Sequence, residues 1–207
     1  MSMIIKRNAD QSEIYNYGNL VKQDTGSYTV KICSEPGETD LHVQTSMPWH
    51  HDRGYSSNIH KKIGLYCLEA DENAGNLYIC DMLLAYKNAP KSLIKECQNV
   101  MAVQSAGKYI DNGFVYSFKS EKDKRYLKRF AKCERPLIWK GCFFYSEAYT
   151  LLDPSLEERL QDHCYQDKFI HKHEYQPNDL IIFDNIRYTH RRDKSTGVKT
   201  LLRFAYE

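Results

Sequence analysis

The feature that most constrains this chain is the length of its apolar runs. Leu65 to Leu68, Leu77 to Met82, Leu137 to Tyr145, Leu180 to Phe183 and Thr200 to Tyr206 are short, rich in branched and aromatic residues, and bounded by turn formers. Such runs read as strands, and all fall far short of the roughly 20 apolar residues that cross a bilayer. Two stretches have helical spacing instead: Pro90 to Cys97, and the segment after Asp153, where Asp153 can cap and Pro154 can take the first helical position. The charged stretch Lys119 to Lys132 reads as an exposed helix or an insertion, and Ser34 to Glu38 and Lys194 to Gly197 read as turns. With no repeat or Gly/Ser-rich linker, the 207 residues are expected to form one domain, 1–207. Many strands with a few helices outside imply a mainly β fold: a double-stranded β-helix, or jelly roll, whose mouth commonly hosts a metal.

Charge excludes some function classes. Lys plus Arg number 29 against 27 Asp plus Glu, a net +2 without long runs of one sign, so neither nucleic acid nor a membrane surface is an expected partner. The opening Met1 to Asn8 has too short an apolar patch for a signal peptide, and a cytoplasmic location is expected. The seven cysteines are scattered singly, as reduced, mostly buried thiols would be, without zinc-ribbon spacing. The oligomeric state is left open.

The chemistry concentrates in two segments. In Met47-Pro-Trp-His-His-Asp-Arg-Gly-Tyr55, a strand geometry would turn His50 and Asp52 to one face and His51 to the other. In Pro177 to Arg192, a buried-looking strand runs through Asp184-Asn185 to His190, the best third ligand. Two histidines and one carboxylate on one octahedral face leave three positions open, as Fe(II) oxygenases need for a cosubstrate and O2. A structural zinc site would fill all four positions from the protein. Downstream, Arg203 interrupts an apolar strand and needs an anionic partner, which a dicarboxylate would supply.

Around these residues the chain resembles the TauD/TfdA (taurine dioxygenase-like) family of Fe(II)/2-oxoglutarate-dependent oxygenases at four places in the family's order. Trp49-His-His-Asp52 resembles its W-H-x-D. Leu65 to Leu68 followed by Ala74 to Met82 resembles its strand, G-G-x-T segment and following strand. Pro177 to Asn185 resembles its P-G-D-x-x-x-W-D-N, with His190 five residues beyond, and Arg203 follows at about the spacing of its cosubstrate arginine. The resemblance implies a jelly-roll core, Fe(II) on His50, Asp52 and His190, and 2-oxoglutarate and O2 as cosubstrates. Arg203 would meet the distal carboxylate, with Thr200 and Lys199 beside it. Hydroxylation of a small amino-acid-like or carboxylate-bearing molecule, with release of succinate and CO2, is the implied outcome. Desaturation, or a non-catalytic 2-oxoglutarate or metal-binding module, are the alternatives. Asp52 argues against the halogenating relatives, which lack that carboxylate.

The chain departs from the family pattern in places. The family threonine falls on Leu77, which cannot donate from its side chain, so Thr200, Tyr78 or water would have to substitute. Ala74 and Asn178 stand for family glycines, and asparagine tolerates left-handed backbone. With 49 residues ahead of His50, a reduced substrate lid is expected. Trp49, Arg53, Arg187 and Arg192 are the residues expected near substrate, although Trp49 also suits the core and the arginines suit solvated loop faces. His51, the pair His171 and His173, and the turn formers Asp184 and Asn185 read as structural.

Overall fold

The computed structural model describes residues 3–23, 26–33, 46–111 and 121–207, the side chains of 121–124 and 126 aside. Its strands are β1 (Ile4–Lys6), β2 (Thr29–Cys33), β3 (Met47–His50), β4 (Lys62–Ala70), β5 (Leu77–Asp81), β6 (Met101–Ser105), β7 (Lys132–Pro136), β8 (Ile138–Trp139), β9 (Cys142–Phe143), β10 (Thr150–Leu151), β11 (Ile170–His173), β12 (Leu180–Asp184), β13 (Tyr188–Arg192) and β14 (Lys199–Tyr206). Five helices accompany them: α1 (Met82–Lys87), α2 (Lys91–Cys97), α3 (Ala106–Asp111), α4 (Glu121–Phe130) and α5 (Pro154–Cys164). A five-stranded sheet runs β1-β12-β4-β14-β2 and a four-stranded sheet β11-β5-β13-β3, with smaller sheets β10-β6-β7 and β8-β9. Every pairing is antiparallel.

The two larger sheets share one core. Ile63 and Leu65 of β4, Ile181 and Phe183 of β12 and Ala205 of β14 pack with Leu77 and Ile79 of β5 and Tyr188 of β13. The alternate residues Tyr66, Leu180, Ile182, Phe204 and Tyr206 face the other way, onto Ala9 and the 3-10 helix Gln11–Tyr17. Leu180 to Phe183 is therefore uninterrupted because both faces of β12 are covered. Gly64 is required here, since a Cβ on it would lie 1.9 Å from the Phe204 ring. Behind the four-stranded sheet, Trp49 and Cys80 pack against Met82, Ala85, Leu93, Leu156 and Leu160 of the helical layer.

Both helical expectations hold, and Asp153 caps α5 by accepting from the amides of Ser155 (3.0 Å) and Leu156 (3.3 Å). The charged stretch contains α4, and the expected turn at Ser34 to Glu38 lies outside the described residues. Leu137 to Tyr145 is a correction: it forms the hairpin β8-β9 rather than one strand, because Lys140 (φ 51°) and Gly141 (φ 77°) both take left-handed backbone. Among the described residues no helix is long and apolar enough to cross a membrane.

Candidate metal centre

Strand β3 ends at His50, so Asp52 does not reach the site by strand alternation as its spacing suggests. A turn carries it there: the Gly54 amide donates to the His51 carbonyl (2.9 Å), and Arg53 adopts φ 56°. The turn is held by fully buried Asn185, whose Oδ1 accepts from the Asp52 amide (2.9 Å). Its Nδ2 donates to the carbonyls of Asp52 (2.9 Å) and His60 (3.0 Å). Asp184 is the turn former expected, accepting from the amides of Ile186 (2.8 Å) and Arg187 (2.9 Å). Asn185 does more than its sequence reading assigned: it ties the segment bearing Asp52 to the segment bearing His190.

In the ladder between β3 and β13, His190 stands opposite His50. Nε2 of His50 and Nε2 of His190 lie 3.3 and 3.4 Å from Asp52 Oδ1, and the three candidate donor atoms are all within 4.8 Å of one another. His50 Nδ1 lies 2.9 Å from the Pro48 carbonyl, which can only accept, so the ring proton sits on Nδ1 and the Nε2 lone pair faces its neighbours. Burial, helped by nearby His50, pushes the His190 pKa down to about 4. Burial works against ionisation of Asp52, but the Arg203 guanidinium and the two imidazoles outweigh it and hold the carboxyl well below its usual range. The result is two imidazole nitrogens and one ionised carboxylate converging on a point, a donor set that suits a divalent transition metal. Among the described residues no fourth histidine, cysteine or carboxylate joins the group. The set therefore falls short of a closed zinc tetrahedron.

Cations lie behind it. Arg203 donates from Nε to Asp52 Oδ2 (2.7 Å) and from Nη1 to Gln23 Oε1 (2.6 Å). Its anionic partner in this structure is thus the Asp52 carboxylate. Lys199, four residues earlier on β14, is 1 % exposed, with its ammonium 5.2 Å from the centre of the Tyr175 ring. Burial and the nearby charge of Arg192 push its pKa down to about 8. Arg192 follows His190 by two residues on β13, and its guanidinium is near enough to Asp52, Tyr109 and Tyr175 for each to oppose the effect of its burial. Thr200 adjoins a register shift in the β14–β4 ladder. Leu77 is 2 % exposed within the core between the sheets. Tyr78 donates to Asp193 (2.9 Å) beneath the Arg191 guanidinium.

Other candidates are not brought together. Arg187 makes a two-pronged pair with Asp81 at the start of α1 (Nε 3.0 Å, Nη2 2.5 Å). Trp49 takes the core place its sequence also suits: neighbouring strand residues face opposite sides, and with His50 inward its ring stacks on Tyr165 at 4.7 Å in the helical layer. Arg53 lies in the turn beside Asp52. His51 is structural as expected, stacked on Phe144 (4.2 Å), its Nδ1 2.7 Å from the Asn185 carbonyl and its pKa pushed down by burial to about 3. His173 bonds to Asp179 (2.9 Å), while His171 is exposed.

A model of the family described as "Taurine catabolism dioxygenase TauD, TfdA family" matches residues 7–142 and 153–205. Among curated proteins, the chain is 23% identical over 194 residues to an alpha-ketoglutarate-dependent 2,4-dichlorophenoxyacetate dioxygenase of Burkholderia sp. (strain RASC), covering 86% of this chain and 63% of that relative. Among solved structures, AAD-2 in complex with Mn(II) and N-oxalylglycine aligns with a TM-score of 0.75 at 15% identity, over 99% of this chain and 83% of that one. A taurine dioxygenase from Burkholderia xenovorans gives 0.73 at 15%, over 99% and 76%. These structures carry the fold alone, a mainly β architecture with few helices. The family match, by contrast, takes in both motif segments and nearly the whole chain: this protein belongs to the TauD/TfdA family.

Proposed function

We propose that this chain is a single-domain, jelly-roll Fe(II)/2-oxoglutarate-dependent oxygenase that hydroxylates a small amino-acid-like or carboxylate-bearing molecule and releases succinate and CO2. One observation carries the reading: the convergence of donor atoms of His50, His190 and Asp52 within 4.8 Å, with buried Lys199 and half-buried Arg192 and Arg203 on the strands behind them. Two sheets sharing one apolar core support the jelly roll. The seven free cysteines fit a reducing, cytoplasmic setting.

In this reading His50, Asp52 and His190 hold Fe(II), which, when bound with 2-oxoglutarate and O2, supplies the oxidising chemistry. The chain's own residues do the rest. The Pro48 carbonyl fixes the His50 tautomer, so that the neutral ring presents its Nε2 lone pair. Arg203 keeps Asp52 ionised and occupies Oδ2, leaving Oδ1 toward the histidines. Lys199, with Arg192 near it and Thr200 adjacent, provides the positive end that a dicarboxylate needs in a buried site, where an unpaired anion would be costly. Arg203 then serves the cosubstrate indirectly, through the carboxylate beside it. Arg53, one residue after Asp52, and Arg192, two residues after His190, are the cations proposed to meet an anionic substrate.

The test is succinate release from 2-oxoglutarate by purified protein under air with Fe(II), ascorbate and a pool of small amino acids and carboxylates, read with mass-spectrometric detection of added oxygen. Activity that disappears in Asp52→Ala and Lys199→Met supports the oxygenase. Anaerobic binding of Fe(II) and 2-oxoglutarate without turnover would favour the binding module.

A further inference from the structure

The side chain of Gln23 is far from the triad in sequence, yet it is one hydrogen bond removed from a candidate ligand's partner. Gln23 is 7 % exposed. Its Oε1 accepts from Arg203 Nη1 (2.6 Å) and its Nε2 donates to the Val21 carbonyl (2.9 Å), so both ends of the amide are committed and its orientation is fixed. The backbone around it is pinned as well. The Val21 amide donates to the Ala205 carbonyl (2.9 Å) beside β14, the Gln23 amide to the Ser27 carbonyl (2.7 Å), and the Gly26 amide to the Gln23 carbonyl (2.8 Å). Arg203 is thus gripped from two sides, by a neutral acceptor at Nη1 and by Asp52 Oδ2 at Nε.

We propose that Gln23 is a positioning residue for the metal centre: through Arg203 it sets which oxygen of Asp52 is presented to the metal. The inference rests on the reading of Asp52 as a ligand. An arginine on a flexible stem has two ways to meet a carboxylate, end-on through one nitrogen or two-pronged through a pair. Anchoring Nη1 on a neutral amide leaves Nε to hold Oδ2 alone and keeps Oδ1 on the side of the two imidazoles. Groups that orient a ligand in this manner typically contribute 10- to 100-fold to metal affinity.

The experiment uses the full chain with Co(II) as the probe, read anaerobically by absorption spectroscopy and by the dissociation constant, without reference to turnover. Gln23→Met keeps length and volume but removes the acceptor; it is expected to weaken Co(II) binding roughly tenfold and to shift the visible bands. Gln23→Glu keeps an acceptor for Arg203 and is expected to retain more of the affinity than Gln23→Met. A folded Gln23→Met protein with wild-type affinity and spectrum overturns the proposal, as does Gln23→Glu losing as much as Gln23→Met, which would reduce Gln23 to packing. Should Gln23→Met not fold, Gln23→Asn, whose shorter side chain withdraws the acceptor, is judged by the same two outcomes. Asp52→Ala separates the two readings: if it binds Co(II) as wild type does, Asp52 is no ligand and the functional proposal fails; if it loses Co(II) while the Gln23 variants do not, only the present inference fails.

Discussion

Two clusters in this molecule contain the same residue types, and only one is built to take a metal. In the first, His173 bonds to Asp179 at 2.9 Å, Arg7 pairs with the same carboxylate oxygen, and the Gln176 amide donates to it at 2.7 Å. In the second, His50, His190 and Asp52 share Arg203 as their cation, but both Nε2 atoms stand 3.3 to 3.4 Å from Asp52 Oδ1, beyond ordinary hydrogen-bond length. One cluster concentrates its donors on a single oxygen and is a staple between the Pro177 turn and β11. The other aims three lone pairs at common space. A histidine and an aspartate in contact are therefore weak evidence of function, while a second imidazole arriving on another strand is strong evidence.

The sharpest way to break this comparison is to remove each carboxylate in turn. Asp52→Ala is expected to abolish succinate release, a loss beyond the roughly 100-fold that an outer partner of a metal site can account for, with the fold intact by circular dichroism. Asp179→Ala should leave activity per folded molecule unchanged and cost about 1–3 kcal/mol of stability through the stranded partners, seen as a melting point several degrees lower. The opposite pattern would exchange the roles of the two clusters.

Next in size is Lys199→Met, which is expected to raise the Kd for 2-oxoglutarate by about 30-fold or more, since losing one member of a buried charge pair costs about 2–5 kcal/mol; isothermal titration would read it. A pH dependence accompanies this. With its pKa at about 8, Lys199 loses its charge in the ligand-free fold above that pH, so 2-oxoglutarate binding should weaken there, and Lys199→Arg should abolish the trend. Stability has the opposite sign: between about 8 and the ordinary lysine value, the unfolded chain holds a proton that the fold has shed, so this residue's contribution rises with pH. Smallest is Asn178→Gly. Asn178 has φ 66°, which glycine adopts freely, but its Oδ1 accepts from the Tyr66 hydroxyl (2.8 Å). The two effects should cancel to within about 1 kcal/mol in a denaturant titration.

Much of this was legible in the residues themselves. His50, Asp52 and His190 stood out because an H-x-D, a weak signal alone, is followed by a histidine within motifs that stand in the family's order, and β12 and β14 because branched and aromatic runs of that length have few alternatives. What was hidden depends on partners distant in sequence. The pairing of Arg203 with Asp52 depends on a turn 151 residues away, and Asn185 gives no sign locally that it closes that turn. Arg187 reads as a free cation until Asp81 is beside it. The Leu137 to Tyr145 hairpin had a local cue in Lys140-Gly141, outweighed by the apolar residues around it. β6, β7 and β11 lack continuous apolar runs and gain their strand state from neighbours in the sheet.

The position of β3 has one further consequence. Among the described residues it is the outermost strand of its sheet, joined to β13 through only two residue pairs with an irregularity between them. Two of the three proposed ligands sit at or just beyond its end. Loading the site would thus rivet a loosely sewn hem to the body of the sheet, and a chelator would unpick it. Backbone amide exchange at Trp49 and His50 should slow on metal addition by the same free energy that binding supplies, making this seam a gauge of occupancy that needs no substrate.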